Sequence, residues 1–260
     1  MDIFQTITLG IIQGLTEFLP VSSSGHLVLL QNLFGLKEPE LLLDSSLHLG
    51  TLFAVCLYFR DDIKQMVREV LKFDLSKPHG SLALWVLVGS LPTGIIGLLF
   101  KTPLEKLFGS LPIVGLMLVA TGVIVGSSRL IPKNYHSRER VGLLIALAVG
   151  TAQGLAIIPG ISRSGATIVC GLFCGLDREL AGRFSFLLSI PAIIGALAVQ
   201  LNFEALENVG IAPLLFGFAS SAVVGILALR LLMGMVKKGH LSYFAPYCWA
   251  LGLLIFLASR

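Results

Sequence analysis

Charge is what this sequence has least of. Asp, Glu, Lys and Arg make up 13% of its 260 residues, against roughly 25% in an average soluble protein. With 55% hydrophobic residues and a mean hydropathy of +0.89, so few charges cannot cover the surface of a soluble domain. The sequence predicts an integral membrane protein, with room for at most about ten helical segments at roughly 20 residues each. The alternating patterns of barrel strands are also missing. The apolar runs are long and rich in Leu, Ile, Val, Ala and Gly, so the expected class is all-α and polytopic. No Lys or Arg precedes Lys37. The start therefore has no positive n-region, and a cleavable signal peptide is not expected. Cysteine is scarce: Cys56, Cys170, Cys174 and Cys248 all lie in apolar runs. Cys170 and Cys174 share a helix face without a His or Asp at ligand spacing, so buried free thiols are expected rather than a metal site or a disulfide.

What is present is a set of apolar runs and two polar interruptions. Full-length spans are expected at about 41–59, 81–100, 111–130, 184–201, 211–232 and 242–259. Two further apolar regions, 3–34 and 141–176, are broken by Pro20-Val21-Ser22-Ser23-Ser24-Gly25-His26 and by Pro159-Gly160-Ile161-Ser162-Arg163-Ser164-Gly165. Irregular backbone at membrane depth is tolerated only where protein or a wet cavity surrounds it, so each region reads as a re-entrant helix–loop–helix pair. The two regions are also alike. Gln13-Gly14-Leu15 aligns with Gln153-Gly154-Leu155, and the same offset aligns Ser22, Ser24 and Gly25 with Ser162, Ser164 and Gly165. The chain is expected to be a single membrane domain over 1–260, made of a repeat at about 1–130 and another at about 141–260.

The net charge is +4 and the pI about 9.0. The basic residues sit in short loops between apolar runs, so membrane topology explains them and nucleic acid is not an expected partner. The loops around 60–79, 129–140, 177–183 and 230–240 hold 14 of the 19 Lys and Arg. Four more, Lys37, Lys101, Lys106 and Arg260, fall on the opposite side, and Arg163 lies in the second break. The positive-inside rule makes the first set cytoplasmic. Counting spans from there, the first re-entrant pair enters from outside and the second from inside. The two halves are then inverted repeats whose breaks meet near the midplane.

The breaks carry the residues suited to chemistry. A charge at membrane depth costs on the order of 3 kcal/mol, which makes Arg163 informative. Its guanidinium suits a forked clamp on phosphate or carboxylate; a structural role, binding loose carbonyls or Glu17, stays open. Glu17 lies four residues after Gln13, on the same helix face. It reads as a hard-cation ligand or general base, with Gln13 as a neutral oxygen partner and substrate oxygens and water completing the shell. His26 adjoins three hydroxyls at a helix start, and nucleophile, acid and base are all open to it. Ser22-Ser23-Ser24-Gly25 and Ser162-Arg163-Ser164-Gly165 each precede a half-helix, placing free N–H groups and a positive dipole end at the cavity. The result is an anion site built twice, suited to phosphoryl transfer; the same parts would also suit an anion transporter, though His26 and Glu17 favour the enzyme, because binding an anion requires neither. Asp44 and His48, near the outer end of the first full span, read evenly as support for the site or as a helix anchor. Pro92 and Pro191 read as mid-span kinks, and the basic 60–79 segment as a cytoplasmic anchor.

The stretch from Gln13 to His26, Gln-Gly-Leu-Thr-Glu-Phe-Leu-Pro-Val-Ser-Ser-Ser-Gly-His, resembles the first signature of bacterial undecaprenyl pyrophosphate phosphatases, the bacitracin-resistance family. The stretch from Pro159 to Thr167, Pro-Gly-Ile-Ser-Arg-Ser-Gly-Ala-Thr, resembles the second. Length, order and spacing match over essentially the whole chain. The resemblance implies hydrolysis of undecaprenyl pyrophosphate to undecaprenyl phosphate and inorganic phosphate, recycling the lipid carrier of cell-wall synthesis. It implies a divalent cation, Mg2+ or Ca2+, with Gln13 and Glu17 serving metal binding or base chemistry. Ser22, Ser23 and His26 would hold the reacting phosphate, with a Ser or the His as nucleophile, and Ser162, Arg163 and Thr167 would bind the pyrophosphate. It implies a multi-pass protein of the bacterial cytoplasmic membrane with its site facing the periplasm; a homodimer is the assembly to test. Family members with Glu at the position of Gln13 have a second carboxylate, so weaker metal affinity is expected here. The alternative function is transport of an anion or flipping of the lipid phosphate, since inverted repeats with paired re-entrant loops are transporter hardware.

Overall fold

Two serine-capped breaks set how the helices are laid out. The structure, a computed structural model, describes residues 3–35, 41–132, 137–200 and 210–259. The first break separates α1 (Ile3–Phe18) from α2 (Ser23–Leu33), and the second separates α8 (Leu143–Leu155) from α9 (Arg163–Phe173). Between them run α3 (Leu41–Tyr58), α4 (Arg60–Leu71), α5 (Pro78–Leu99), α6 (Lys101–Phe108) and α7 (Leu111–Ser127), the last continued by a 3-10 turn at Ser128–Leu130. After the second break come α10 (Arg178–Gln200), α11 (Ile211–Lys237), a 3-10 turn at Leu241–Phe244 and α12 (Ala245–Ala258). Among the described residues the only β feature is a single bridge between Arg138 and Leu176.

The chain is an all-α polytopic membrane protein. Among the described residues five helices are long and apolar enough to cross a membrane: α5, α7 with its turn, α10, α11, and α12 with the turn before it. The expected span at 41–59 is α3, which meets α4 at a bend of 76°. The expected helical architecture is found, and the segments expected as loops around 60–79 and 101–108 hold two further short helices, α4 and α6. Neither carries a membrane-length apolar run, so hydropathy alone does not reveal them; α4 is amphipathic, with Asp61 and Asp62 in its first turn and Arg68 in its last. The expected loop at 177–183 is the start of α10. The segments expected to face outward around Lys37 and Glu207 lie outside the described residues.

The most extensive packing sets α1 against α11, α3 against α11, α7 against α12 and α5 against α8. Glycine permits the close approaches. A Cβ on Gly14 would lie 2.7 Å from the Ser221 carbonyl oxygen of α11, and one on Gly150 would overlap the Gly89 carbonyl of α5. Pro92 and Pro191 sit inside α5 and α10. Proline denies a donor to the preceding turn, and Gln153 bridges that neighbourhood. Its Nε2 donates to the Leu188 carbonyl (3.3 Å) and to Thr93 Oγ1 (3.2 Å), and Thr93 in turn donates to the Gly150 carbonyl (2.9 Å). The largest core cluster runs from Phe18 through Val149, Ile168, Phe184 and Leu188 to Leu232. It fixes both breaks from one side.

The four loop regions richest in Lys and Arg meet at one end of the bundle. Arg183 pairs with Asp62 at 3.2 Å and Lys237 with Glu179 at 2.9 Å. The Arg138 backbone pairs with Gly175 and Asp177, and Arg129 Nε donates to Ser242.

Candidate active site

Each break is closed by the same small motif. Ser22 caps α2, its Oγ accepting from Gly25 N (3.3 Å) and lying 3.2 Å from Ser24 Oγ. Ser162 caps α9, its Oγ accepting from Gly165 N (3.1 Å) and lying 3.2 Å from Ser164 Oγ. A serine cap supplies an acceptor to one of the orphan N–H groups of the first turn. The N-terminus of α9 lines a cavity through Arg163 and Ser164, where the positive end of its dipole favours an anion. One difference separates the two: Ser22 has φ 68°, in the left-handed region, whereas Ser162 has φ −79°. A serine held there is a local strain that the surrounding structure must offset.

The breaks touch. Gly160 N donates to Ser24 Oγ (3.4 Å), and Ser164 Oγ donates to the Leu19 carbonyl (3.5 Å). From α7, Thr121 holds the second break at two points: its Oγ1 donates to the Gly160 carbonyl (2.8 Å) and accepts from Ser162 N (2.9 Å).

Glu17 is the hub. Its side chain is 4% exposed and forms an ion pair with the Arg163 guanidinium, which is 22% exposed. Its other oxygen, Oε2, accepts from Ser23 Oγ (2.5 Å) and from Gln13 Nε2 (3.1 Å). His48 Nδ1 lies 3.0 Å from Gln13 Nε2 and 3.8 Å from Glu17 Oε2. His48 therefore supports the site, while Asp44 sits one turn away and accepts from Gln31 (2.7 Å). Gln13, Glu17 and Ser23 of the first break and Arg163 of the second thus share one cluster. The cavity beside them is lined by Glu17, Phe18, Arg163, Ser164, Ser185, Phe186, Ser189 and Ile193, and has about 10 Å³ of room. That holds about one water molecule. A phosphate group enters only if the Arg163–Glu17 pair opens.

His26 and Thr167 fall outside this cluster. His26 Nδ1 is 2.7 Å from the Ser22 carbonyl, and its Nε2 is 2.7 Å from Tyr247 Oη on α12, with the two rings stacked at 5.8 Å. A carbonyl only accepts, so Nδ1 carries the proton and Nε2 accepts from the tyrosine hydroxyl. Thr167 Oγ1 turns toward α10, 2.5 Å from Ser185 Oγ, and donates to the Arg163 carbonyl (2.7 Å). It steadies the first turn of α9. Sequence reasoning passed over Tyr247, Thr121 and Ser185. Thr121 and Ser185 are single small hydroxyls inside apolar runs, and Tyr247 gives no local signal at all.

Gln13 and Glu17 are the residues that could hold a hard cation. Gln13 Oε1 is buried without a hydrogen-bond partner beside the Glu17 carboxylate. Among the described residues no group of three or more His, Cys, Asp or Glu converges to hold a metal. One amide and one carboxylate suit an ion that keeps its waters and takes the rest of its shell from substrate phosphate.

Comparison with known proteins fits this geometry. The chain is 47% identical to an undecaprenyl-diphosphatase of Desulforapulum autotrophicum, covering 100% of this chain and 99% of that one. It is 44% identical to one from Carboxydothermus hydrogenoformans over 98% and 97% of the two chains, and 41% identical to one from Methanobrevibacter smithii over 100% and 98%. The profile of the bacitracin resistance protein BacA matches residues 6–254, both capped breaks included. The chain belongs to the bacitracin resistance protein BacA family.

Proposed function

We propose that this protein hydrolyses undecaprenyl diphosphate to undecaprenyl phosphate and inorganic phosphate, recycling the lipid carrier used in cell-wall synthesis. The observation that carries the reading is the cluster itself. A carboxylate, a hydroxyl and a guanidinium from two separate helix breaks meet at two helix N-termini, in a chain whose full-length relatives bear that enzyme's name. We place the protein in the cytoplasmic membrane, as two inverted repeats, with the site opening to the outer side.

The diphosphate first competes for Arg163. Its oxygens take the guanidinium fork and the free N–H groups of α2 and α9, which separates Arg163 from Glu17. Glu17, relieved of its counter-charge, becomes a base for the Ser23 hydroxyl that already donates to it. Ser23 Oγ attacks the distal phosphorus as its proton passes to Glu17. The anhydride P–O bond breaks, and undecaprenyl phosphate leaves with the bonding electron pair. Glu17 passes the proton it took from Ser23 to the departing undecaprenyl phosphate; water then attacks the phosphoserine, one of its protons passes through Glu17 to the Ser23 oxygen as the Ser23 O–P bond breaks, and inorganic phosphate is released. His26, fixed by Ser22 and Tyr247, borders the α2 N-terminus and serves to position the bound phosphate. Gln13 Oε1 and Glu17 would hold a divalent cation, Mg2+ or Ca2+. Such an ion supplies electrostatic stabilisation of charge developing on the phosphate oxygens.

The test is phosphate release from a polyprenyl diphosphate by detergent-purified protein, with rapid quench and with or without EDTA. Release, and a phosphoserine that Ser23→Ala abolishes, is the expected result. Release without any phosphoenzyme, with Ser23→Ala fully active, would overturn the nucleophile assignment. No release from folded protein would overturn the enzyme reading and favour transport of an anion or lipid phosphate. Unchanged release in EDTA would remove the cation.

A further inference from the structure

The α4 helix and the turn after it are absent from the reaction above, yet their composition is organised. Because α4 bends by 76° from α3, it lies across the end of the bundle rather than along it. Its inner side packs Ile63 and Met66 on the core. The acids are engaged with the protein. Asp62 pairs with Arg183 (3.2 Å), and Glu69 Oε2 accepts from Gly80 N (2.6 Å). Asp74 pairs with Lys77 (2.7 Å), and Asp61 lies 3.8 Å from Arg60 and 3.9 Å from Lys64.

Arg68 and Lys72 stand outside these pairs. Arg60, Lys64, Arg68 and Lys72 recur every four residues, which places them in one row along the helix. Among the described residues no acid lies at ion-pair distance from Arg68 or Lys72. Both line a cleft of about 340 Å³ with Gln65, Glu69 and Lys77. Beside this row runs an exposed apolar stripe: Val67 at 53%, Leu71 at 74% and, beyond the helix end, Phe73 at 92%.

Phe73 is the telling residue. The helix ends with Asp74 N donating to the Glu69 carbonyl (3.0 Å) and Phe73 N to the Val70 carbonyl (2.9 Å). This pair of bonds is a Schellman motif, in which the position of Phe73 normally belongs to glycine. Phe73 instead holds φ 56°, a conformation that disfavours a bulky side chain, and its ring packs on almost nothing in the chain. Backbone strain is kept where something offsets it, and inside the protein nothing does.

We infer that α4 and the turn after it bind an anionic phospholipid of the facing leaflet, with Arg68 and Lys72 taking the head-group phosphate and Leu71 and Phe73 entering the acyl layer. An amphipathic segment with a basic row beside exposed Leu and Phe has the character of a helix lying in the interface. Interfacial Lys and Arg near an anionic surface add to its affinity. The net positive outer face, with its acids turned inward or paired, selects an anionic over a zwitterionic head group.

The test uses the full chain in phosphatidylcholine bilayers with and without phosphatidylglycerol. In the Phe73→Trp variant, read against the background of Trp85 and Trp249, the new indole should be quenched by brominated acyl chains and shielded from acrylamide in water. Native mass spectrometry should find phosphatidylglycerol retained on the parent. The double variant Arg68→Gln with Lys72→Gln should lower that retention about 30-fold, the effect of two interfacial cations. An indole open to acrylamide and untouched by brominated lipid would overturn the proposal and make this face a site for a soluble partner. Equal phosphatidylglycerol retention by parent and double variant would overturn it as well, as would equal retention of phosphatidylcholine and phosphatidylglycerol by the parent. Because the indole measurement does not involve Arg68 or Lys72, it decides even if the double variant folds poorly.

Discussion

Arg163 and Glu17 each neutralise the other in a place where neither charge is well solvated. Removing one partner leaves the other buried and uncompensated, which costs on the order of 3–5 kcal/mol. Arg163→Ala and Glu17→Gln should each lower the thermal midpoint in detergent, and the double variant should lose less than the sum of the two. The same Arg163→Ala change should cut turnover by at least about 10²-fold, the worth of one preorganised donor. Arg163→Lys should recover little, since it loses the fork; near-normal turnover in a folded Arg163→Ala protein would leave Arg163 only its structural role. Tyr247 calls for a finer measurement. Tyr247→Phe keeps the ring stacked on His26 and removes one hydrogen bond, so kcat should fall about tenfold with KM little changed; an equal loss in a His26→Gln background would detach Tyr247 from His26. Glu17, Ser23 and Arg163 were legible in the sequence because polar groups stand out within apolar runs. The partnership of His26 with Tyr247 was not, because it joins residues 221 apart in sequence and an aromatic residue beside an apolar run is unremarkable.

At the level of whole helices, the breaks were the readable part. Proline followed by serines and glycine inside an apolar stretch can end one helix and cap another, and α2 and α9 begin where that chemistry puts them. The α4 helix was hidden because six of its 12 residues are charged and interleaved with the apolar ones, so the apolar signal averages away in a hydropathy window. The contact of α1 with α11 was hidden too, since nothing local in Ile3–Phe18 announces its partner. Gly14 tests that contact. A leucine there would drive its side chain into the Ser221 carbonyl and Gly225 N of α11. Overpacking of this kind costs typically 1–3 kcal/mol, and the displacement would carry Gln13 and Glu17 with it. Gly14→Leu should therefore lower both the thermal midpoint and turnover, whereas Gly94→Leu, which faces open space on α5, should lower neither.

The molecule as a whole has one end at which its cation-rich loops join, and the orientation we propose turns that end to the cytoplasm. Cysteines placed at Lys72 and Lys237 should resist a membrane-impermeant reagent in intact cells, while those at Lys37 and Glu207 should react; the reverse pattern would turn the protein over and put the first break on the inner side. The packing of α1 on α11 also bears on how the chain is made. Roughly 190 residues separate the two helices, so at 5–20 residues per second the ribosome takes about 10–40 s to supply the partner. Throughout that interval Gln13 and Glu17 lack α11 beside them, and for about its first three quarters Glu17 also lacks Arg163 to pair with. The first helix then enters the bilayer carrying an exposed amide and an unpaired acid, a poor substrate for spontaneous insertion. Its retention falls to the insertion machinery, and a nascent chain arrested before α11 should remain crosslinkable to that machinery through α1, whereas the completed chain should not.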